Sequence, residues 1–135
     1  MTFDPSNKLL ATGSSDSQIK IYDVQGGFQT HNFMGHRGLI LKLVFHPDKG
    51  CMKLLSCAED FIIKVWDLVL KKDVAVMKPK DKSDNQAHMT TSIVFSSDHK
   101  TLITSGRDGM LHFWDANDKF KNIVSVELNQ IGCNF

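Results

Sequence analysis

Ser56–Asp67 reads SCAEDFIIKVWD, and this stretch decides the fold. Its apolar run ends in a large aromatic followed at once by a carboxylate, Trp66-Asp67. An acid, Asp60, stands six residues before the Trp, and a hydroxyl, Ser56, stands ten before it. The same order of side chains recurs on both sides. Thr12–Asp23 reads TGSSDSQIKIYD and Thr104–Asp115 reads TSGRDGMLHFWD, so Asp16 and Asp108 repeat the acid, Thr12 and Thr104 the hydroxyl, and Tyr22 and Trp114 the aromatic. The aromatics lie 44 and 48 residues apart. Self-similarity at a fixed period of this size marks one supersecondary unit copied along the chain.

Between these signals the chain alternates short runs rich in β-branched and aromatic residues with the turn clusters DPSNK, QGG, HPDKG, SSDHK and GRDG. That is the pattern of many short antiparallel strands. Strands are expected near 8–14, 18–24, 28–34, 39–46, 52–58, 61–68, 73–77, 90–96, 101–106, 110–116 and 122–128, and no segment sustains a helical period. In several strands both parities are apolar, as in Phe61-Ile62-Ile63 and in Ile40-Leu41 with Leu43-Val44-Phe45. A sheet held between two other sheets buries both faces and loses simple alternation, which a radial stack of sheets explains.

Composition limits the function classes. With 135 residues, 41% hydrophobic and 23% charged, the chain has the material of about one globular domain. Sixteen basic against fifteen acidic residues leave a net charge of +1, so no global field draws it to nucleic acid or anionic membrane. No apolar run approaches the roughly 20 residues of a membrane span, and MTFDPSNK lacks the pattern of a signal peptide. Cys51, Cys57 and Cys133 form no Cys-x-x-Cys pair, which argues against a disulfide or zinc framework and for a reducing compartment.

The repeated turn-Asp, strand and Trp-Asp units, with Gly35-His36 about thirty residues before Trp66, resemble the WD-repeat β-propeller family over nearly the whole chain. The resemblance implies an all-β fold of about three four-stranded antiparallel blades in an incomplete ring. Blade one would cover about 1–35 with its first strand truncated, blade two about 36–80, blade three about 88–128, and a tail 129–135. It also implies a buried tetrad in each blade, shared by His, Ser or Thr, Asp and Trp. In the second repeat the tetrad falls on His36, Ser56, Asp60 and Trp66, and in the third on His88, Thr104, Asp108 and Trp114, where Ala87 replaces the glycine before the histidine. The first repeat keeps Thr12 and Asp16, has Tyr22 in place of Trp, and lacks the histidine. Rings of this kind close with about four to eight blades, so the chain is expected to be a piece of a longer protein.

A Ser-His-Asp set also suggests nucleophilic catalysis. Against it, no Gly-x-Ser-x-Gly elbow or Gly-rich oxyanion loop occurs, and one active site does not need three copies. A buried Trp N–H needs an acceptor, and a hydroxyl can accept from it while donating to a His whose other nitrogen faces the Asp. The chain is therefore read as no enzyme. No cofactor is expected: the His residues lack His-Glu-x-x-His spacing and there is no Gly-x-x-x-x-Gly-Lys loop. Cys57 reads as a small core residue. Lys78, Lys80 and Lys82, in the polar stretch 78–88, read first as a solvated loop and second as contacts to a partner or to phosphate.

Within the family, MTFDPSNKLLATGSSD, THNFMGHRGLILKLVFHPD and SIVFSSDHKTLITSGRD are similar to consecutive blades of a WD-repeat subunit of the small-subunit processome, the small nucleolar ribonucleoprotein that matures ribosomal RNA. That likeness implies a nucleolar scaffold contacting other proteins of a multi-subunit complex, with at most weak or indirect RNA contact and no membrane. The alternative is a WD-repeat adaptor, such as a signalling scaffold or a ubiquitin-ligase substrate receptor, in the cytoplasm.

Overall fold

The computed structural model describes residues 1–48, 50–77, 90–106 and 111–116, together with the backbone of Met110 and of 121–127. Among the described residues all regular structure is strand, in three four-stranded antiparallel meanders. The first sheet runs β1 (Thr2–Phe3), β2 (Leu9–Gly13), β3 (Ile19–Asp23) and β4 (Gln29–Phe33). The second runs β5 (Ile40–Phe45), β6 (Lys53–Ala58), β7 (Ile63–Asp67) and β8 (Lys72–Met77), and the third β9 (Thr90–Phe95), β10 (Thr101–Gly106), β11 (Met110–Asp115) and β12 (Lys121–Glu127). Strand order in space equals chain order in every sheet, because the connections within a sheet are short hairpins. Three successive four-stranded meanders make the fold a partial β-propeller.

The second sheet is buried on both faces, which explains its continuous apolar strands. Leu54, Ala58 and Trp66 pack with Ala11, Ile19, Ile21 and Phe33 of the first sheet. Leu55, Cys57, Ile63 and Val65 pack with Ile93, Leu102 and Trp114 of the third. Successive side chains of β6 thus feed two different cores, as the period of two requires. The close backbone approaches between sheets involve the inner strands: β5 lies against β1 and β2 on one side and against β9 on the other. Gly13 permits this approach, since a Cβ there would lie 2.4 Å from Ile40 Cγ2. Farther out the sheets diverge, and large rings fill the gap. Phe33 of β4 stacks on Trp66 of β7 with centroids 4.8 Å apart.

The strands lie within two residues of their sequence-based positions, with β1 the stub of an innermost strand. One reading of the apolar pattern needs correction. Phe61 is not part of a buried strand; it occupies the turn before β7, left-handed at φ 66° and 42% exposed. Asp60 Oδ1 accepts the N–H of Ile62 and closes that turn, so the pleat begins only at Ile63. A second feature has no simple sequence signal. The outer hairpin of every sheet slips register at the repeated aromatic, between Ile21 and Tyr22, Val65 and Trp66, and Phe113 and Trp114. The three-fold recurrence makes this bulge a built part of the unit.

Candidate functional site

The site with the most polar chemistry lies inside the second sheet. Ser56, central in β6, is fully buried, and His36 enters from the connection between β4 and β5. Trp66 Nε1 donates to Ser56 Oγ at 2.8 Å, and His36 Nε2 lies 2.6 Å from the same oxygen. His36 Nδ1 lies 2.9 Å from Asp60 Oδ2. With Asp60 ionised, Nδ1 carries the ring proton and Nε2 accepts from the serine hydroxyl. Each buried polar atom then has a partner. Gly35 leaves room for the histidine's approach: its φ is 156°, and a Cβ there would stand 3.3 Å from the Trp66 ring.

Burial would push the Asp60 carboxyl up. Hydrogen bonds from His36 and from the backbone N–H groups of Arg37 and Ile62, with the attraction of the His36 ring, outweigh it and hold Asp60 below the usual carboxylate value. The connectivity Ser–His–Asp copies that of a hydrolytic triad. Its chemistry differs, because Ser56 is 0% exposed and its oxygen already holds the indole N–H. No substrate carbonyl can reach it without dismantling the core.

The structure gathers the other repeats less completely. Trp114 Nε1 donates to Thr104 Oγ1 at 2.9 Å, while His88 and Asp108 lie outside the described residues. In the first sheet Thr12 Oγ1 donates instead to the Lys20 carbonyl at 3.4 Å. Asp16 is exposed and accepts from the Ser14 hydroxyl and the Gln18 N–H, and Tyr22 stands half-buried opposite Leu10. Lys78, Lys80 and Lys82 also lie outside the described residues. Burial pushes the Cys57 thiol up to about 12, so it behaves as core. Among the described residues no three His, Cys, Asp or Glu side chains converge to hold a metal ion.

Two roles escaped the sequence reading. The carboxylate after the Trp caps a turn: Asp67 Oδ1 accepts the N–H of Val69 at 2.8 Å and of Leu70 at 2.9 Å, and Asp23 Oδ1 accepts that of Gly26 at 2.7 Å. The recurrence of Asp at one offset before a hairpin is the signal that could have revealed it. His31 bridges sheets, with Nε2 2.8 Å from the Leu68 carbonyl and Nδ1 2.8 Å from Thr30 Oγ1. A lone histidine in a strand carries no such information.

The family model described as WD domain, G-beta repeat matches residues 1–23, 27–67 and 82–115, well over half of the sequence. The chain belongs to the WD-repeat family. It is 38% identical over 117 residues to Transducin beta-like protein 3 of Bos taurus, covering 85% of the chain and 14% of that protein. The human protein of the same name is also 38% identical over 117 residues. WD repeat and SOCS box-containing protein 1 of Xenopus tropicalis is 36% identical over 118 residues, covering 87% of the chain and 26% of that relative. The chain therefore spans a small part of the length of the relatives it matches. Among the described residues no helix is long and apolar enough to cross a membrane.

Proposed function

We propose that the chain is a non-catalytic scaffold for protein–protein interaction and that it serves in a component of the small-subunit processome, in the nucleolus, during maturation of small-subunit ribosomal RNA. The observation that carries this reading is the likeness to Transducin beta-like protein 3, which runs through all three sheets at 38% identity rather than through one repeat. The burial of the Ser-His-Asp set supports the non-catalytic part: among the described residues the one complete set has its serine and histidine sealed in a core. A near-neutral chain offers proteins its loops and edges, and RNA at most local lysines such as Lys78, Lys80 and Lys82. The full-length protein purified from cells is expected to bring down processome proteins and small nucleolar RNA, and its depletion to leave unprocessed small-subunit precursor. A second reading, an adaptor of the ubiquitin-ligase or signalling kind in the cytoplasm, draws on the likeness to the SOCS box-containing relatives. Recovery of such partners with normal ribosomal RNA processing selects it.

A further inference from the structure

A groove of about 470 Å³ opens between the connection that follows β4 and the outer half of the second sheet. Its lining divides by chemistry. Ile62 and Val76 form an apolar wall, Arg37 and Lys64 supply two cations, and Gly35 and Asp60 complete it. Lys64 and Val76 stand opposite each other across β7 and β8, so both project from the same face. Among the described residues this lining carries two cations and not the row that a nucleic acid backbone needs.

The charges are unequally committed. Both Asp60 oxygens are taken, Oδ2 by His36 and the Arg37 N–H and Oδ1 by the Ile62 N–H. Arg37 thus meets Asp60 through its backbone, and its exposed guanidinium pairs with no carboxylate among the described residues. Lys64 spans the Trp66 ring at 5.4 Å and reaches Asp73 only at 3.8 Å, with that carboxylate 43% exposed. A loose, solvated pair of this kind is worth little and exchanges readily for a better one. Next to the wall, Phe61 holds a left-handed conformation that disfavours bulky side chains, while staying 42% exposed.

We propose that this groove binds an extended peptide of a partner protein in which an apolar residue adjoins a carboxylate, the apolar side chain against Ile62 and Val76 and the carboxylate on Arg37 and Lys64. The assignment rests on the scaffold reading and gives it one partner chemistry. The test titrates the full-length protein with fluorescein-labelled Gly-Leu-Glu-Leu-Glu-Gly, with its Gln-for-Glu analogue, and with a uridine decamer. Saturable peptide binding is expected, weakened about tenfold in the Gln analogue and in Arg37→Ala, partly restored by Arg37→Lys and unchanged in Lys8→Ala. Methyl resonances of Ile62 and Val76 in the unsubstituted protein must shift on titration, a readout that needs no variant to fold. No saturable binding, equal affinity for the Gln analogue, indifference to Arg37→Ala, still methyl resonances, or Arg37-dependent binding of the uridine decamer in place of the peptide would each overturn the proposal. None of these results alters which proteins co-purify, so the scaffold reading stands or falls separately.

Discussion

Ser56 holds two rings with a single hydroxyl, accepting from one and donating to the other, and that economy makes it vulnerable. Trp66→Phe keeps most of the ring and its stacking on Phe33 but removes the N–H, leaving one Ser56 lone pair empty in a dry core. The expected loss is about 1–3 kcal/mol, read as a lower denaturant midpoint, and an unchanged midpoint would sink the tetrad as a stabilising network. His46 offers a second test. It is buried, its Nδ1 accepts the Asp48 N–H at 3.1 Å, and its ring meets Phe95 of the third sheet at 4.9 Å. Burial first, with His99 and Lys53 adding, lowers its pKa below 6.5 against the opposing pull of Asp48. Its stabilising contribution is therefore complete above 6.5 and fades as the pH falls through the depressed folded value. Asp60 acts later, its contribution complete above 3.8 and lost beneath it. Denaturant midpoints across this range should fall in two stages, and His46→Asn should remove the first; an identical profile in that variant would refute the role given to His46. At this scale the sequence was most legible where a residue type recurs at one offset, as for Ser56, Asp60 and Trp66. It was silent on His31, whose partner is a carbonyl brought near only by folding.

Each hairpin is governed by the atoms that finish its turn. Asp67→Ala would free the N–H groups of Val69 and Leu70 and is expected to cost about 1 kcal/mol, with Asp67→Asn recovering most of it. Equal midpoints for the alanine variant and the parent would count against the capping role. Phe61 sets the opposite case. In the matching turn Ser17 also has positive φ, at 71°, and the third repeat places a glycine, Gly109, after its Asp. Phe61→Gly should therefore leave stability unchanged or raise it by up to about 1 kcal/mol, since relief of the left-handed strain opposes the entropy that glycine adds to the unfolded chain. A clear loss of stability would show that the aromatic is held by packing. Element positions were readable because β-branched runs alternate with turn clusters. The bulges at Tyr22, Trp66 and Trp114 were not, because an extra residue in the outer strand changes pairing without changing composition.

For the molecule as a whole, protection should follow the order of the sheets. The second sheet has both faces covered, so amides of β6 and β7 are expected to exchange with solvent more slowly than those of β2, β3, β10 or β11. Equal rates in all three sheets would mean that they open together as one unit. The repeat count and the fold followed from the sequence because the period fixes the unit; partners did not, since loops and edges carry them and no periodicity constrains those. The rings that fill the diverging outer gaps bring one more property. The chain contains two Trp residues, Trp66 in the core shared by the first and second sheets and Trp114 in the core shared by the second and third. Each junction thus has its own indole, buried beside an imidazole with ring centroids 6.1 Å apart. Intrinsic fluorescence can follow the parting of one sheet from the next without any label, and replacing either indole leaves the emission of the chain reporting on a single seam.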